Sequence, residues 1–143
     1  MKVIARNKKA KFNYNILETY EAGIVLKGSE VKSIRSGKVS LSDAFAQVVN
    51  GEVFLFNMHI SPYEKAQEEL EAKRDRKLLL NKSEIRKIEG KLKSRGLTLI
   101  PLEVFIKKSF VKITLALAKG KKEYEKKRKI IEKEQRRVMK KYI

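Results

Sequence analysis

Residues 42–58 read SDAFAQVVNGEVFLFNM, two apolar segments joined by Asn50-Gly51. Asn-Gly is the strongest short signal for a two-residue hairpin turn, because both residues tolerate positive φ angles. The sequence therefore predicts a strand over 42–49 and an antiparallel return strand over 52–58. The remaining elements can be placed on either side of this hairpin.

Upstream, alternating apolar residues over 12–26 predict another extended segment. Gly23 inside it predicts a bulge or sharp bend, as a barrel strand needs. Ser29 then suits the N-cap of a short helix over 30–36, which Gly37 would end.

Downstream, Pro62 predicts that residues 59–63 leave the sheet, since proline cannot continue a central strand. Residues 64–74 are polar and predict a loop or an exposed helical turn. Asn81 followed three residues later by Glu84 has the pattern of a capping box and predicts a helix over 82–95.

Two further strands are predicted over 97–106 and 110–117, joined as a hairpin by 107–109. Pro101 indicates that the first of them is an edge strand or is bulged there. Five or more antiparallel strands with a helix before the last pair favour a mainly β fold, a closed antiparallel β-barrel of the OB type over residues 1–118. A two-layer α+β sheet is the alternative.

The rest of the chain, residues 119–143, is a basic tail with twelve Lys or Arg and four Glu. So few apolar residues cannot support independent folding, although several Glu-to-Lys pairs four apart favour a helix. We expect a tail that is disordered alone and helical when bound. A basic arm over 2–11 is either a frayed terminus or a segment that lies on phosphates.

The charge of the whole chain points to a polyanionic partner. Its 143 residues hold 35 Lys or Arg against 17 Asp or Glu, which gives a formal net charge of +18. RNA, DNA or an anionic membrane surface would suit this balance. No apolar run approaches the length of a membrane span, and residues 1–6 contain no apolar core of signal-peptide length, so we expect a cytoplasmic protein without membrane association.

Enzyme chemistry finds little support in the residue types. Cysteine is absent and His59 is the single histidine, so neither a thiolate nor a histidine cluster can hold a metal. Only two aspartates are present, Asp43 and Asp75, and no phosphate-cradling loop occurs. We expect a binding protein without metal or cofactor rather than an enzyme.

Several motifs, in order along nearly the whole chain, resemble the SmpB (small protein B) family. They are NKKAKFNY at 7–14, EAGIVLKGSEVKSIR at 21–35, HISPY at 59–63, RKLLLN at 76–81, VK at 111–112 and AKGKK at 118–122. A generic basic OB-fold protein, such as a ribosomal protein or an RNA chaperone, is the rival interpretation. It explains the charge and the barrel but not the ordered motifs.

The resemblance implies a function in trans-translation. Such a protein binds the tRNA-like part of tmRNA around its D-loop and delivers it to ribosomes that have stalled without a stop codon. The tail then lies in the vacant mRNA path of the small ribosomal subunit, beside its rRNA, and becomes helical, which permits peptide tagging and ribosome rescue. Action with alanyl-tmRNA and elongation factor Tu, as a monomer, is also implied.

The resemblance also implies site residues. It puts Glu21, Leu79, Asn81 and Lys112 at tmRNA-binding positions, and the matched motifs add further RNA-binding candidates: Lys9, Lys11, Phe12, Lys32, Arg35, Arg76 and Lys77. Two roles stay open at this point. Leu79 either contacts RNA or belongs to the core, and Glu21 accepts hydrogen bonds either from base edges or from a nearby lysine.

In the tail, the resemblance implies that Lys119, Gly120, Lys121, Lys122 and Tyr124 lie at the decoding centre. Lys126, Lys127, Arg128 and Ile131 would follow in the mRNA path. Tyr124 could stack on a base or pack on the barrel. The acidic segment 64–72 departs from the loop usual in the family, so the resemblance assigns no contacts to it.

Overall fold

The computed structural model describes residues 1–62, 71–94 and 96–121, which form nine strands and three helices. In chain order these are β1 (Lys2–Arg6), α1 (Ala10–Asn13), β2 (Tyr14–Ile24), α2 (Gly28–Arg35), β3 (Val39–Ser40), β4 (Phe45–Val49), β5 (Glu52–Phe56), β6 (His59–Ile60), β7 (Arg76–Leu79), α3 (Lys82–Leu92), β8 (Leu97–Lys107) and β9 (Phe110–Gly120).

One large antiparallel sheet dominates the fold. Seven strands follow the order β1-β8-β4-β5-β7-β2-β9, and β8 pairs additionally with β9. The long strands β2, β8 and β9 are each eleven residues and supply most of the ladder. The short strands β3 and β6 form a separate two-stranded sheet. The expectation of a mainly β, antiparallel architecture is confirmed.

Both predicted hairpins are present, and their turns have the expected backbone. In the β4–β5 turn, Asn50 and Gly51 have φ angles of 51° and 75°. In the β8–β9 turn, Lys108 and Ser109 have φ angles of 50° and 68°. Two consecutive positive φ angles are typical of a type I′ turn, whose twist matches that of the strands it joins.

The main core lies on the inner face of the sheet, where α2 and α3 contribute one buried apolar residue each, Ile34 and Ile88. They pack with fully buried residues of the strands, among them Val53, Leu55, Leu78, Ile113 and Leu115. A second, smaller cluster consists of Ala10, Ile100, Ala116 and Ala118. It shows that α1 covers part of the opposite face of β8 and β9.

Hydrogen bonds at the N-termini of α2 and α3 define where these helices begin. The backbone N–H of Asn81 donates to the Glu84 carboxylate over 3.3 Å, as predicted for α3. This helix ends at Leu92, three residues before the predicted end. For α2 the predicted N-cap at Ser29 is wrong, because the helix already begins at Gly28 and the N–H of Lys27 bonds to Glu30 at 2.8 Å.

Five short elements were not predicted from the periodicity of the sequence. Strand β1 pairs with β8 where the sequence predicts only a basic arm, and β7 pairs with both β5 and β2. His59 and Ile60 form β6 and pair with β3 in the small sheet. They are therefore outside the large sheet, as predicted for residues 59–63, but they still form a strand. Helix α1 occupies Ala10–Asn13, so β2 begins at Tyr14 instead of residue 12. Each element is too short to show a period.

Bulges occur in two long strands. The register of β8 shifts between Pro101 and Glu103, which confirms the prediction for Pro101. In β2 the register shift lies between Ile16 and Glu18, so of the two alternatives predicted for Gly23, a bulge or a sharp bend, the bulge is wrong. Strand β9 continues to Gly120, two residues past the predicted domain boundary at 118.

Candidate nucleic-acid interface

Gly23 is the centre of the site, because it pairs with two of the predicted RNA-binding residues. In the ladder it lies opposite Leu79 of β7 on one side and Lys112 of β9 on the other. Directly opposed residues point to the same face of a sheet. Leu79 and Lys112 are therefore brought to one outer surface, 33 residues apart in sequence but flanking a single glycine.

The glycine is needed for close approach. A Cβ atom at Gly23 would lie 3.3 Å from the Cβ of Leu79, which is tighter than an ordinary contact. Leu79 therefore lies over the bare backbone of β2. It is 52% exposed, which rules out the alternative that it belongs to the core. An exposed leucine that packs against the backbone of Gly23 is suited to contacting a partner.

Glu21 lies one step along β2 on the same outer face, with an exposed carboxylate. Lys107 Nζ contacts its Oε1 at 3.3 Å, and both side chains are about half exposed. In the free protein, a nearby lysine is thus the partner of Glu21. An exposed pair of this kind is weak and can exchange for another donor.

The other end of the site is the start of α3. Asn81 is exposed and directly follows Leu80 at the end of β7, so Leu79 and Asn81 are held by two rigid elements that meet there. Lys77, two residues before Leu79, has its Nζ 3.1 Å from Glu52. It is half exposed, and we retain it as a candidate phosphate contact.

Arg76 has a different role from the one expected, and its prediction as an RNA contact is wrong. Its side chain has no solvent exposure and its Nε donates to Glu30 over 2.8 Å. Its Nη1 also donates to the carbonyl of Met58 at 2.7 Å. Arg74 contacts the same carboxylate at 2.5 Å. Arg76 therefore joins β7 to α2 inside the protein.

The electrostatics of this buried cluster follow from its geometry. Burial by itself would raise the pKa of Glu30, but hydrogen bonds from Arg74, the Lys27 N–H and Arg76 outweigh it and lower the pKa. Burial lowers the pKa of Arg76, against the opposing effect of Glu30. A deeply buried carboxylate held between two guanidinium groups stays ionised at neutral pH.

Helix α2 presents Lys32 and Arg35 on its exposed side. Arg35 Nη2 donates to the carbonyl of Ser109 over 3.4 Å, which connects α2 to the β8–β9 turn. The turn and the end of this helix thus lie together, beside Lys107 and the Glu21 carboxylate. Lys107 was not among the predicted residues, because only the folded register places it next to Glu21.

A second group of predicted residues lies on and near α1. Lys9, Lys11 and Phe12 are exposed there, Phe12 by 36%. Lys121 Nζ donates to the carbonyl of Lys11 over 2.6 Å, and the Lys121 N–H donates to the carbonyl of Asn13 over 2.9 Å. The start of the basic segment is thus hydrogen-bonded to α1.

Two predicted tail residues are part of the sheet. Lys119 pairs with Asn15 and Leu97, and Gly120 pairs with Tyr14. The other predicted tail residues lie outside the described residues: Lys122, Tyr124, Lys126, Lys127, Arg128 and Ile131.

A polar cluster joins α3 to β2. The Glu18 carboxylate accepts hydrogen bonds from Lys91 Nζ and from the Tyr20 hydroxyl. The hydrogen bond from Lys91, followed by that from Tyr20, lowers the pKa of Glu18. Burial and the contact with Glu18 raise the pKa of Tyr20 to about 12. This cluster holds α3, whose N-cap is Asn81, against β2.

Neither a metal site nor a membrane-spanning helix is found among the described residues. Within residues 1–62, 71–94 and 96–121, no group of three or more His, Asp or Glu side chains could hold a metal ion. None of the helices in these ranges has the length and apolar character needed to cross a membrane.

Comparison with known proteins agrees with the motifs. The family model described as SmpB protein matches residues 4–143. The SsrA-binding protein of Halothermothrix orenii is 58% identical over 134 residues, which cover 93% of this chain and 86% of that protein. The SsrA-binding protein of Persephonella marina is 55% identical over 142 residues, covering 99% of this chain and 93% of that protein.

A solved structure is also similar. A chain of the structure described as "tmRNA-SmpB: a journey to the center of the bacterial ribosome" superimposes with a TM-score of 0.71 at 48% sequence identity. The match covers 85% of this chain and 86% of that one.

Proposed function

The chain belongs to the SmpB family, and from this premise we propose that it is a tmRNA-binding protein of trans-translation. It binds the tRNA-like part of tmRNA around the D-loop and brings it to stalled ribosomes. Its partners are then tmRNA and the small ribosomal subunit with its rRNA. The named relatives bind SsrA, and the similar structure concerns tmRNA and SmpB on the bacterial ribosome.

The observation that carries the proposal is the surface around Gly23. Leu79, Lys112 and Glu21 converge there although they come from three strands. A lysine supplies charge for phosphates, a carboxylate accepts hydrogen bonds from base edges, and an exposed leucine supplies apolar contact. RNA loops with splayed bases offer all three complements.

We propose also that the sheet closes into a barrel of the OB type. The pairing order begins with β1 on β8 and ends with β9, which itself pairs with β8. The path β8-β4-β5-β7-β2-β9 therefore returns to β8. A closed path of this kind removes free sheet edges and leaves an outer surface for nucleic acid.

The proposal divides the chain into two functional parts. The described domain, which includes the sheet residues Lys119 and Gly120, holds tmRNA, and the basic residues after Lys121 enter the vacant mRNA path and become helical there. Binding of a polyanion neutralises its cations, which is the change that a marginal helix requires. In this proposal the protein is a cytoplasmic monomer without enzymatic activity that acts with alanyl-tmRNA and elongation factor Tu.

The test is recovery of RNA from a bacterial lysate. The tagged protein should enrich tmRNA over total tRNA when bound RNA is sequenced. Glu21→Ala should reduce this enrichment without changing thermal unfolding, because Glu21 is exposed. Asn81→Ala should also reduce it, with a loss of about 1 kcal/mol in stability because Asn81 is the N-cap of α3. Equal recovery of tmRNA, tRNA and ribosomal RNA would instead support a generic basic RNA-binding protein.

A further inference from the structure

Phe110 is the most exposed aromatic side chain among the described residues, and no role has been assigned to it above. It is 68% exposed at the first position of β9, where it pairs with Lys107 across the β8–β9 turn. Burying it in the protein would have been favourable, since an aromatic side chain carries a large apolar area. Its exposure therefore requires a reason.

The register assigns Phe110 to the face that carries Leu79. Lys112 pairs with Gly23; Phe110 lies two residues before Lys112 on β9, and Val25 lies two residues after Gly23, just past the end of β2. Val25 is 47% exposed, and its N–H donates to the carbonyl of Lys77 over 2.9 Å. We call the three exposed apolar side chains Phe110, Val25 and Leu79 the Phe110 platform.

Positive charge surrounds this platform. Arg35 donates to the carbonyl of Ser109, directly before Phe110, and Lys108 is exposed within the same turn. Lys107, Lys112 and Lys77 lie on the neighbouring positions of β8, β9 and β7. An identical surface on a second copy would bring these cations against each other. A polyanion with flat apolar groups is complementary to both features.

We propose that Phe110 stacks on an unpaired base of the bound RNA while Arg35 and Lys108 hold the adjoining phosphates. The inference rests on the proposed function and extends its site past Glu21, Leu79, Asn81 and Lys112. Aromatic stacking with flanking cations is how single-stranded nucleotides are held on β-sheet surfaces. Stacking accepts any base, so this contact adds affinity and register without reading sequence.

Equilibrium binding to a transcript of the tRNA-like domain of tmRNA tests the inference. Phe110→Ala should raise Kd by at least about fivefold, as expected for loss of one base–aromatic stack. Phe110→Leu should behave like Phe110→Ala, whereas Phe110→Trp should retain affinity. Leu17→Ala is the matched control, since Leu17 is 54% exposed at the far end of β2. Its Kd should not change.

A spectroscopic signal separates stacking from nonspecific apolar contact. The chain contains no tryptophan, so Phe110→Trp introduces a single reporter. Its fluorescence emission should be quenched as RNA is added, with the same Kd as in the binding titration. The emission of Leu17→Trp should change little. Wild-type affinity of Phe110→Ala or Phe110→Leu, or an unquenched tryptophan at position 110, would overturn the inference.

The outcomes also separate the inference from the proposed function. If wild-type protein prefers the tRNA-like domain and Phe110→Ala retains full affinity, only the stacking role fails. If wild-type protein shows no preference over an unrelated RNA, the proposed function fails, and the inference with it. If Phe110→Ala instead dissociates a dimer of the free protein, the platform is an interface between copies and the inference is wrong.

Discussion

Glu30→Gln should destabilise the protein more than a Glu→Gln substitution at any exposed position. Glu30 is 4% exposed and the Arg76 side chain is fully buried, with Nε and Nη2 at 2.8 and 2.6 Å from the carboxylate. Glutamine keeps the shape of the side chain but removes the charge. The Arg76 guanidinium would then be buried without its counterion, and Arg74 would lose the same partner.

The size of the effect follows from burial. Removing one partner of a buried ion pair costs about 3–5 kcal/mol of unfolding free energy, because the remaining charge stays desolvated. For a chain of this size, each kcal/mol lowers Tm by roughly 3 °C, which gives a decrease of roughly 10–15 °C. Urea unfolding followed by circular dichroism at pH 7 measures the free energy, and thermal unfolding measures Tm.

Glu52→Gln is the matched control, because it removes the same charge from an exposed pair. Glu52 and Lys77 have side chains that are 50% and 42% exposed. Solvent screens such a pair, so the control should lose no more than about 0.5 kcal/mol. The precision of such measurements is roughly 1 kcal/mol. If the losses of unfolding free energy of Glu30→Gln and Glu52→Gln differ by less than roughly this amount, the assignment of Arg76 to a buried structural cluster is refuted.

The pH dependence supplies an independent check. The folded pKa of Glu30 is lower than its ordinary value of 4.5, so the unfolded chain binds a proton first as the pH falls. The stabilisation is complete above the ordinary value and is lost as the pH falls through the folded pKa. The difference in unfolding free energy between wild type and Glu30→Gln should therefore be largest at neutral pH and decrease below pH 4.5. A difference that does not vary with pH would exclude the charge as its cause.

Three further outcomes are expected. Leu79→Ala should weaken tmRNA binding with little change in Tm, because Leu79 is exposed; a large decrease in Tm would return it to the core. A chain that ends at Lys121 should keep selective tmRNA binding, whereas Ile131→Pro in the full chain should bind tmRNA but fail in a peptide-tagging assay on a message without a stop codon, since proline disrupts a helix interior. Stability should fall as the pH rises from 10 to about 12 through ionisation of Tyr20, and Tyr20→Phe should reduce this loss in alkaline unfolding curves.

The elements that could be predicted from the amino-acid order are those specified by local chemistry. Asn50-Gly51 defines a hairpin because both residues accept the positive φ angles that its turn needs. Asn81 and Glu84 start α3 because three residues separate the carboxylate from the free N–H group at the cap. Pro101 marks a bulge because it cannot donate to the ladder. In each case, a few neighbouring residues contain the whole cause.

The candidate site was predictable only in part. The motifs identified Glu21, Leu79, Asn81 and Lys112, and the structure brings Glu21, Leu79 and Lys112 together around Gly23, with Asn81 two residues past the end of β7. Arg76 has the same charge as Lys77 and lies beside it in the chain. Alternation along β7 turns the first side chain into the core and the second outward, and that orientation depends on which face the sheet covers.

Packing between distant segments accounts for what local patterns missed. Glu30 and Arg76 are 46 residues apart, and neither residue carries a sign of the other in its neighbourhood. Gly23 resembles a bulge in the sequence, yet its lack of a Cβ matters because Leu79 lies over it across a strand pair. Phe110 likewise shares a face with Leu79 only through the register of β9, β2 and β7. Such contacts depend on long-range pairing, which is defined only when the whole sheet has formed.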